Sequence, residues 1–246
     1  PTYTQKIIDR AMEILDKNRV KIICPPKEEG GKFSYSIRKA RGEWTIPFLM
    51  YPAILKAEKL LDKKLKYIEI TILDGKNKKT DLILDLLYPH VNYLNILTDQ
   101  PERLKEKAME IYEDVGLNLQ ILSHNKQTLL EGSNIIIDCI ENNHTDFYYT
   151  MKNGIYFYLG GNIEMVKNIL LNRSDLLVVD DFILSLQNEK LSTAFCEMIW
   201  FVSKPWFDPT LSKEYSIETL KNITREIKRD GWIVEKFCSY GKEYES

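Results

Sequence analysis

A lysine-rich turn follows the apolar segment that ends at Leu73. Its residues are Asp74, Gly75, Lys76, Asn77, Lys78 and Lys79. Lysines at the start of a helix could bind an anion, because the positive end of the helix dipole adds to their attraction. A solvated lysine turn needs no function, so the residues leave an anion site and an ordinary turn open.

An acidic residue, Asp99, closes the next apolar segment. Its carboxylate could accept hydrogen bonds from the diol of a ribose. It could also cap the helix predicted from Pro101, since aspartate just before Gln-Pro-Glu is a favourable N-cap. The sequence favours capping alone, although the two roles are compatible.

A later apolar segment, Asn134–Cys139, has Asp138 at its end and further polar residues after it. These are Glu141, Asn142, Asn143 and His144. His144 is the best general acid or base in the chain, although an ordinary surface histidine is the favoured interpretation. Cys139 could be a nucleophile only with a stabilised thiolate, so a buried structural cysteine is favoured.

Two further clusters carry charge. The segment Arg38–Trp44 is basic and contains an aromatic residue, so it could bind an anionic substrate or form a charged loop. Asp180 and Asp181 could bind a divalent cation, but the sequence places no third ligand nearby. The four cysteines and three histidines lack metal-ligand spacing, so no metal site is expected.

The first 64 residues predict a small α/β cap. Apolar periodicity predicts a helix at Thr4–Asp16 and another from Pro47 to about Lys64. Short strands are predicted at Val20–Ile23 and Phe33–Arg38. The mixture of helices and strands suggests a unit that packs on the segment after it.

Strands and helices alternate over residues 65–185. The predicted strands are Tyr67–Leu73, Tyr93–Leu97, Leu117–Leu122, Asn134–Cys139 and Gly154–Leu159, and the helices are Thr80–Leu87, Pro101–Val115 and Lys126–Leu130. In the second helix, Leu104, Ala108, Ile111 and Tyr112 are expected to face inward. This alternation predicts βαβ units, and therefore a doubly wound parallel sheet with helices on both faces. Leu176–Val179 fits either a strand or the start of a helix.

The remaining residues, 186–246, predict a helical C-terminal segment that packs on the core. Ser192–Val202 is apolar nearly all round, and Ile217–Arg229 is a charged amphipathic helix. Trp232–Phe237 has the pattern of a final edge strand. Pro205, Trp206 and Phe207 are expected to pack this segment on the core.

The stretch from ITILDGKNKKT to LQIL, followed by LLEGSNIIIDC, resembles an NAD(P)-binding Rossmann domain. The segment PERLKEKAMEIYEDVG is similar to a helix of shikimate-dehydrogenase-like proteins. LLVVDDF resembles a segment of ornithine-cyclodeaminase and alanine-dehydrogenase-like proteins. The resemblance implies NAD or NADP as cofactor, with Asp74–Lys79 and Asp99 as its binding residues.

The glycine loop departs from this family. Of the G-x-G-x-x-G motif only Gly75 remains, and the missing glycines normally let the backbone approach a pyrophosphate. We therefore expect no NAD(H) or NADP(H) binding at sub-millimolar concentration. Three hypotheses follow: a divergent dehydrogenase-type enzyme, a non-catalytic ligand-binding or interaction module, and an S-adenosylmethionine-dependent methyltransferase with Asp99 as its ribose acid.

The composition bounds the partners. The chain has 246 residues, a net charge of −2, 44% hydrophobic and 28% charged residues, which is typical of a soluble globular protein. This charge gives no general attraction to nucleic acid or membrane. The N-terminus lacks the pattern of a signal peptide. We expect a cytoplasmic protein, with a small anionic ligand or nucleotide as partner and a homo-oligomer as an open alternative.

Overall fold

The computed structural model describes residues 10, 13–15, 17–24, 38–123, 126–208 and 215–244. Near the N-terminus, β1 (Ile22–Ile23) pairs in parallel with β2 (Arg38–Lys39). Of the helix predicted at residues 4–16, residues 10 and 13–15 are helical, and its other residues lie outside the described ones. The strand predicted at residues 33–38 is described only at its last residue, which begins β2.

A six-stranded sheet forms the centre of the molecule. Its strands are β3 (Glu69–Leu73), β4 (Tyr93–Leu97), β5 (Gln120–Leu122), β6 (Ile135–Asp138), β7 (Ile155–Tyr158) and β8 (Leu177–Val179). The spatial order is β5-β4-β3-β6-β7-β8, and every neighbouring pair is parallel. Counted from β3, this order is 3-2-1-4-5-6. The chain has a Rossmann-type fold.

Helices cover both faces of the sheet. The α-helices in chain order are α1 (Met50–Leu60), α2 (Lys78–Leu87), α3 (Lys105–Val115), α4 (Lys126–Gly132), α5 (Ile163–Asn172), α6 (Thr193–Ser203) and α7 (Ile217–Arg229). Successive residues of a strand point to opposite faces. Accordingly, Ile135 and Ile137 pack with α1, α2 and α6, whereas Ile136 packs with α4 and α5. The predicted parallel sheet is confirmed, and so is its two-sided cover.

The helix predicted at Pro101–Val115 begins and ends as its sequence predicts. A 3₁₀ turn at Pro101–Leu104 leads into α3, which ends at Gly116 with a left-handed φ of 72°. Leu104 and Ile111 are buried as expected, but Tyr112 is 62% exposed. The inward placement of Tyr112 was wrong, because an amphipathic stripe is wider than the face that α3 buries.

The first helix and its entry turn belong to the main core. Phe48, Ala53 and Ile54 are fully or almost fully buried in the same cluster as residues of β3 and α2. Phe48 also contacts Trp200 and Trp206 edge-on or tilted, at centroid distances of 6.2 and 5.4 Å. The division into a separate cap, residues 1–64, stays a prediction.

The C-terminal segment contains an antiparallel sheet beside its predicted helices. Its strands are β9 (Asp181–Leu186), β10 (Glu189–Ser192), β11 (Ile233–Ser239) and β12 (Lys242–Glu243), in the order β10-β9-β11-β12. β11 therefore lies inside this sheet, and the edge position predicted for Trp232–Phe237 was wrong. Phe237 of β11 packs edge-on against Phe157 of the parallel sheet, at 5.4 Å. Trp206 and Phe207 pack on the core as expected.

Within the part of the chain that the structure describes, no helix combines the length and apolar character needed to cross a bilayer.

A buried carboxylate, Glu197 on α6, fixes the loop after β2. It accepts a hydrogen bond from the amide of Gly42 at 2.8 Å, and the amide of Trp44 also donates to it. Burial nevertheless raises the pKa of Glu197 to about 6, because these amides compensate only part of the lost hydration. The folded state therefore binds this proton more tightly than the unfolded chain does.

The raised pKa of Glu197 predicts a pH-dependent stability. Its contribution is fully present below pH 4.5, the ordinary pKa of the group, and is lost as the pH rises through about 6. The loss amounts to ~2 kcal/mol of unfolding free energy. We expect urea denaturation from pH 4 to 7.5 to show this slope in the wild type and not in Glu197→Gln. Glu43→Gln, at a more exposed neighbouring carboxylate, is the control, and an equal effect there would contradict the assignment.

Candidate functional site

A cavity of about 490 Å³ lies at the carboxyl ends of the parallel strands. Its walls come from residues 74–77 after β3, 97–99 at the end of β4, 123 and 126 around the start of α4, and 140–142 and 146 after β6. Ligands of open α/β sheets bind at this edge, where the strand order reverses between β3 and β6. The volume is within the range of small-molecule sites.

Asp74 forms the floor of this cavity and is the chain's own anion at the glycine loop. Its side chain has no exposed area, and it accepts hydrogen bonds from the Thr98 hydroxyl at 2.8 Å and Arg103 at 2.9 Å. The amide of Lys76 donates to it at 2.7 Å. Burial alone would raise the pKa of Asp74, but these hydrogen bonds outweigh it and lower the pKa below its ordinary value. Asp74 is therefore a buried carboxylate held ionised by its partners.

Other amides of the loop are also occupied. The amide of Gly75 donates to the Thr80 hydroxyl at 3.2 Å, and the amide of Thr80 donates to the side chain of Asn77 at 3.2 Å. Asn77 is thus the N-cap of α2. Together with the amide of Lys76, three loop amides point at side chains of the protein.

The loop is tied directly to the end of β6. The side-chain amide of Asn77 donates to the carbonyl of Cys139 at 3.1 Å. A Cβ added to Gly75 would stand 2.0 Å from that same carbonyl oxygen, so only glycine fits there. The loops after β3 and β6 therefore touch at the point where the strand order reverses.

Lys76 and Asp99 face each other at the mouth of the cavity. The Lys76 ammonium lies 2.6 Å from the Asp99 carboxylate, and their side chains are 42% and 69% exposed. Lys76 has a left-handed φ of 53°, a conformation that favours glycine. Gln100, not Asp99, is the N-cap residue of the following 3₁₀ turn, and its amide donates to Thr98. The predicted capping by Asp99 was wrong, because its carboxylate is paired with Lys76.

The other two lysines of the loop lie elsewhere. Lys78 is exposed and lies outside the cavity wall. Lys79 is 5% exposed, and its ammonium donates to the carbonyl of Leu159 at 3.2 Å and lies 5.0 Å from the ring centre of Trp44. The structure does not bring the three lysines of the predicted anion site together.

His144 belongs to a buried hydrogen-bond network beside the cavity. Its Nε2 is 2.8 Å from a carboxylate oxygen of Asp138, which also accepts from the Tyr156 hydroxyl at 2.8 Å. The amide of Asp146 lies 3.3 Å from Nδ1. Burial alone would lower the pKa of His144, but Asp138 and Asp146 raise it. Both ring nitrogens have partners, and the general acid or base role stays a prediction.

Of the other candidate residues after β6, some line the cavity and others lie away from it. Glu141 and Asn142 line the cavity, and the side chain of Asn143 accepts from the side-chain amide of Asn162 at 3.0 Å. Cys139 is fully buried, and burial raises the pKa of its thiol to about 12. That environment does not stabilise a thiolate.

The remaining charged clusters lie away from the main cavity. Arg41, Glu43, Asp180 and Asp181 line a second cavity of about 140 Å³ near the start of α5. Asp180 accepts from the amide of Tyr240, and Asp181 accepts from the Thr193 hydroxyl. Among the described residues, no three histidine, cysteine, aspartate or glutamate side chains are grouped to hold a metal ion.

Several residues of the site were not singled out from the sequence. Thr98 and Arg103 complete the environment of Asp74, and Lys126 and Asp146 form part of the cavity wall. Thr98, Arg103 and Lys126 directly follow strands or open helices at the carboxyl edge of a predicted sheet. That position is the signal that could have identified them.

Comparison with known proteins finds solved structures that are similar to this chain in fold. No protein-family model matches the chain, and no curated protein does. Quinate dehydrogenase from Corynebacterium glutamicum in complex with NAD is 10% identical, with a TM-score of 0.42 over 73% of this chain. The chain spans only 62% of the length of that enzyme.

Two other solved structures are similar at the same level. A glycerate dehydrogenase related protein from Thermoplasma acidophilum is 12% identical, with a TM-score of 0.32 over 85% of each chain. The apo form of D-mandelate dehydrogenase from Rhodotorula graminis is 9% identical, with a TM-score of 0.36 over 80% of this chain and 67% of its own. The Rossmann-type assignment itself rests on the strand order and parallel pairing of this chain.

Proposed function

We propose that this divergent Rossmann-type protein binds a mononucleotide, or a similar small anionic ligand, in the strand-end cavity and does not use a nicotinamide dinucleotide. The observation that carries the proposal is the occupation of the glycine loop by the chain's own side chains. The amide of Gly75 donates to the Thr80 hydroxyl, and the amide of Lys76 donates to the Asp74 carboxylate. The amide of Thr80 donates to the Asn77 side chain.

In dinucleotide-binding domains, the loop amides and the helix N-terminus hold the pyrophosphate. Here these amides donate to side chains of the protein, and the buried carboxylate of Asp74 is the acceptor for the amide of Lys76. A pyrophosphate at the Lys76 amide would stand close to this carboxylate, and the two anions would repel each other. The residues present therefore do not fit a dinucleotide in the standard pose.

The cavity nevertheless offers groups that suit a smaller ligand. Asp99, exposed at the end of β4, supplies a carboxylate for ribose hydroxyls, and Lys76 supplies a cation for a phosphate. Lys126 supplies a second cation in the cavity wall. Lys76 is paired with the exposed carboxylate of Asp99, so a ligand can compete for it with little desolvation, whereas Lys126 is paired with the buried carboxylate of Asp146.

Calorimetric titration with AMP, NAD and NADP tests this proposal. We expect AMP to bind and the two dinucleotides to show no binding below millimolar concentration. Asp99→Asn and Lys76→Ala should each weaken AMP by about 5- to 150-fold, equivalent to 1–3 kcal/mol for hydrogen bonds to charged groups. Lys78→Ala, exposed and outside the wall, is the matched control and should change little.

Tight NAD or NADP binding that survives Lys76→Ala would overturn the proposal. It would restore a dehydrogenase-type enzyme as the leading hypothesis. If Lys78→Ala weakened AMP binding as much as Lys76→Ala does, the effect would come from general charge attraction and not from a site in the cavity. S-adenosylmethionine belongs in the same titration as a probe of the methyltransferase hypothesis.

The methyltransferase alternative receives less support. That hypothesis requires an antiparallel strand pair at the end of the sheet. Over the described residues, all five strand pairings of the six-stranded sheet are parallel, and the antiparallel strands form a separate sheet.

We also infer a reducing, cytoplasmic setting, which is supported by the lack of disulfide bonds among the four cysteines, all of which are described. A homo-oligomer stays a prediction, and sedimentation velocity of the purified chain would check it.

A further inference from the structure

One wall of the main cavity contains a cation whose partner is shared with a histidine. The Lys126 ammonium lies 3.5 Å from Oδ2 of Asp146, and both residues line the cavity. The same Oδ2 lies 3.7 Å from Nδ1 of His144. Asp146 therefore stands between a half-exposed lysine and a buried imidazole.

The neighbours of His144 determine which of its ring nitrogens carries a hydrogen. Asp138 has no exposed side-chain area, and it accepts from the Tyr156 hydroxyl and from the amide of Ile140. A carboxylate only accepts, so Nε2 of His144 carries the hydrogen that faces Asp138. Any proton that His144 gains or loses is consequently at Nδ1, which now accepts a hydrogen bond from the backbone amide of Asp146 at 3.3 Å and lies 3.7 Å from the Asp146 carboxylate.

The charged and titratable groups that face this histidine, among the described residues, come from four elements. Asp138 is on β6, Tyr156 on β7, Asp146 on the 3₁₀ helix Asp146–Tyr149, and Lys126 on α4. The two carboxylates favour the imidazolium, whereas the Lys126 charge disfavours it. A ligand that binds the Lys126 ammonium therefore changes the protonation of His144.

We propose that Lys126, Asp146 and His144 couple anion binding in the cavity to proton uptake. An anionic group draws the Lys126 ammonium away from Asp146. Nδ1 of His144 then takes a proton from a hydronium ion of the solvent, gives up the hydrogen bond that it accepted from the Asp146 amide, and donates to the Asp146 carboxylate. One N–H bond forms on His144, and one O–H bond of the hydronium ion breaks. This inference rests on the proposed function only in the choice of ligand.

The coupling has a definite sign. Because the bound state holds the proton more tightly, the anion should bind more strongly at lower pH. The gain reaches about tenfold in affinity for each unit by which the pKa of His144 differs between the free and bound states. A phosphate monoester loses charge below about pH 6, so its own titration opposes this trend. The comparison with a variant that lacks His144 removes that contribution.

The first test needs no nucleotide. The His144 ring is titrated by NMR in the wild type, in Lys126→Gln and in Asp146→Asn, each with and without sulfate as a probe anion. We expect the pKa of His144 to rise in Lys126→Gln, to fall in Asp146→Asn, and to rise when sulfate is added to the wild type. An unchanged titration in Lys126→Gln, or no response to sulfate, would overturn the coupling.

The second test uses AMP. Calorimetry at pH 7 in buffers of different ionisation enthalpy counts the protons taken up on binding. We expect the proton uptake to be larger in the wild type than in His144→Gln, whose amide can still donate to Asp138, because the contribution of the AMP phosphate is common to both. Binding with equal proton uptake in the two proteins overturns the coupling and leaves the proposed function standing. Absence of AMP binding with the expected NMR shifts overturns the proposed function and leaves the coupling standing.

Discussion

Replacing Asp74 with alanine is expected to lower the free energy of unfolding by about 3 kcal/mol. The substitution leaves Arg103, the Thr98 hydroxyl and the amide of Lys76 without the carboxylate that they now share. Loss of one partner from a buried charged pair costs ~3–5 kcal/mol, and part-exposed Arg103 can regain water, which places the effect at the lower end. Urea denaturation at pH 7 measures the change.

Asp81→Ala is the matched control, because Asp81 contacts the same Arg103 at 2.6 Å but is 48% exposed. We expect a loss of about 0–1 kcal/mol there, as for other exposed pairs. The pH dependence adds a second check. Since the pKa of Asp74 is lowered, its stabilisation is present above pH 3.8 and fades as the pH falls further, a slope that Asp74→Asn should lack. Equal losses in Asp74→Ala and Asp81→Ala would contradict this account of the loop.

Gly75→Ala is expected to destabilise the fold by about 3 kcal/mol. Its new Cβ would stand 2.0 Å from the carbonyl oxygen of Cys139, and neither backbone segment can yield without moving a buried strand end. The same displacement would break the hydrogen bond from Asn77 to Cys139. Thermal and urea denaturation should both show the loss.

Gly116→Ala separates this steric effect from backbone strain. Gly116 has a φ of +72° and open space where a Cβ would point. Alanine there should cost only about 1 kcal/mol, the penalty of a left-handed residue. A loss for Gly75→Ala as small as that for Gly116→Ala would mean that the two loops do not touch.

The parallel sheet could be predicted because its signal is local. Ile70–Leu73 and Ile135–Ile137 are apolar at consecutive positions, as a strand covered on both faces requires. The helices between them carry ordinary start and stop residues. Of the antiparallel sheet only the strand at Trp232–Phe237 was predicted, because its partner β9 is distant in sequence. The hairpin of β9 and β10 was missed because its turn residues, Gln187 and Asn188, lack the glycine of the usual turn signal.

The site could be predicted by position and not by pairing. Asp74, Gly75 and Asp99 were identified as strand-end residues, and all three line the cavity. Arg103 pairs with Asp74 because the register between β3 and β4 brings these two residues, 29 positions apart in sequence, into contact. This pairing could not be predicted from the sequence. Lys79 shows the same limit, since only the fold brings it to Leu159.

The internal anion at the glycine loop also bears on the life of the protein in a cell. An enzyme whose glycine loop binds a cofactor is stabilised by that binding, so its abundance in the cell follows the supply of the cofactor. Here the Asp74 carboxylate accepts from the Lys76 amide and from Arg103, so groups of the chain itself hold the loop. If the protein binds no nicotinamide cofactor, as we propose, its turnover should not follow the supply of that metabolite.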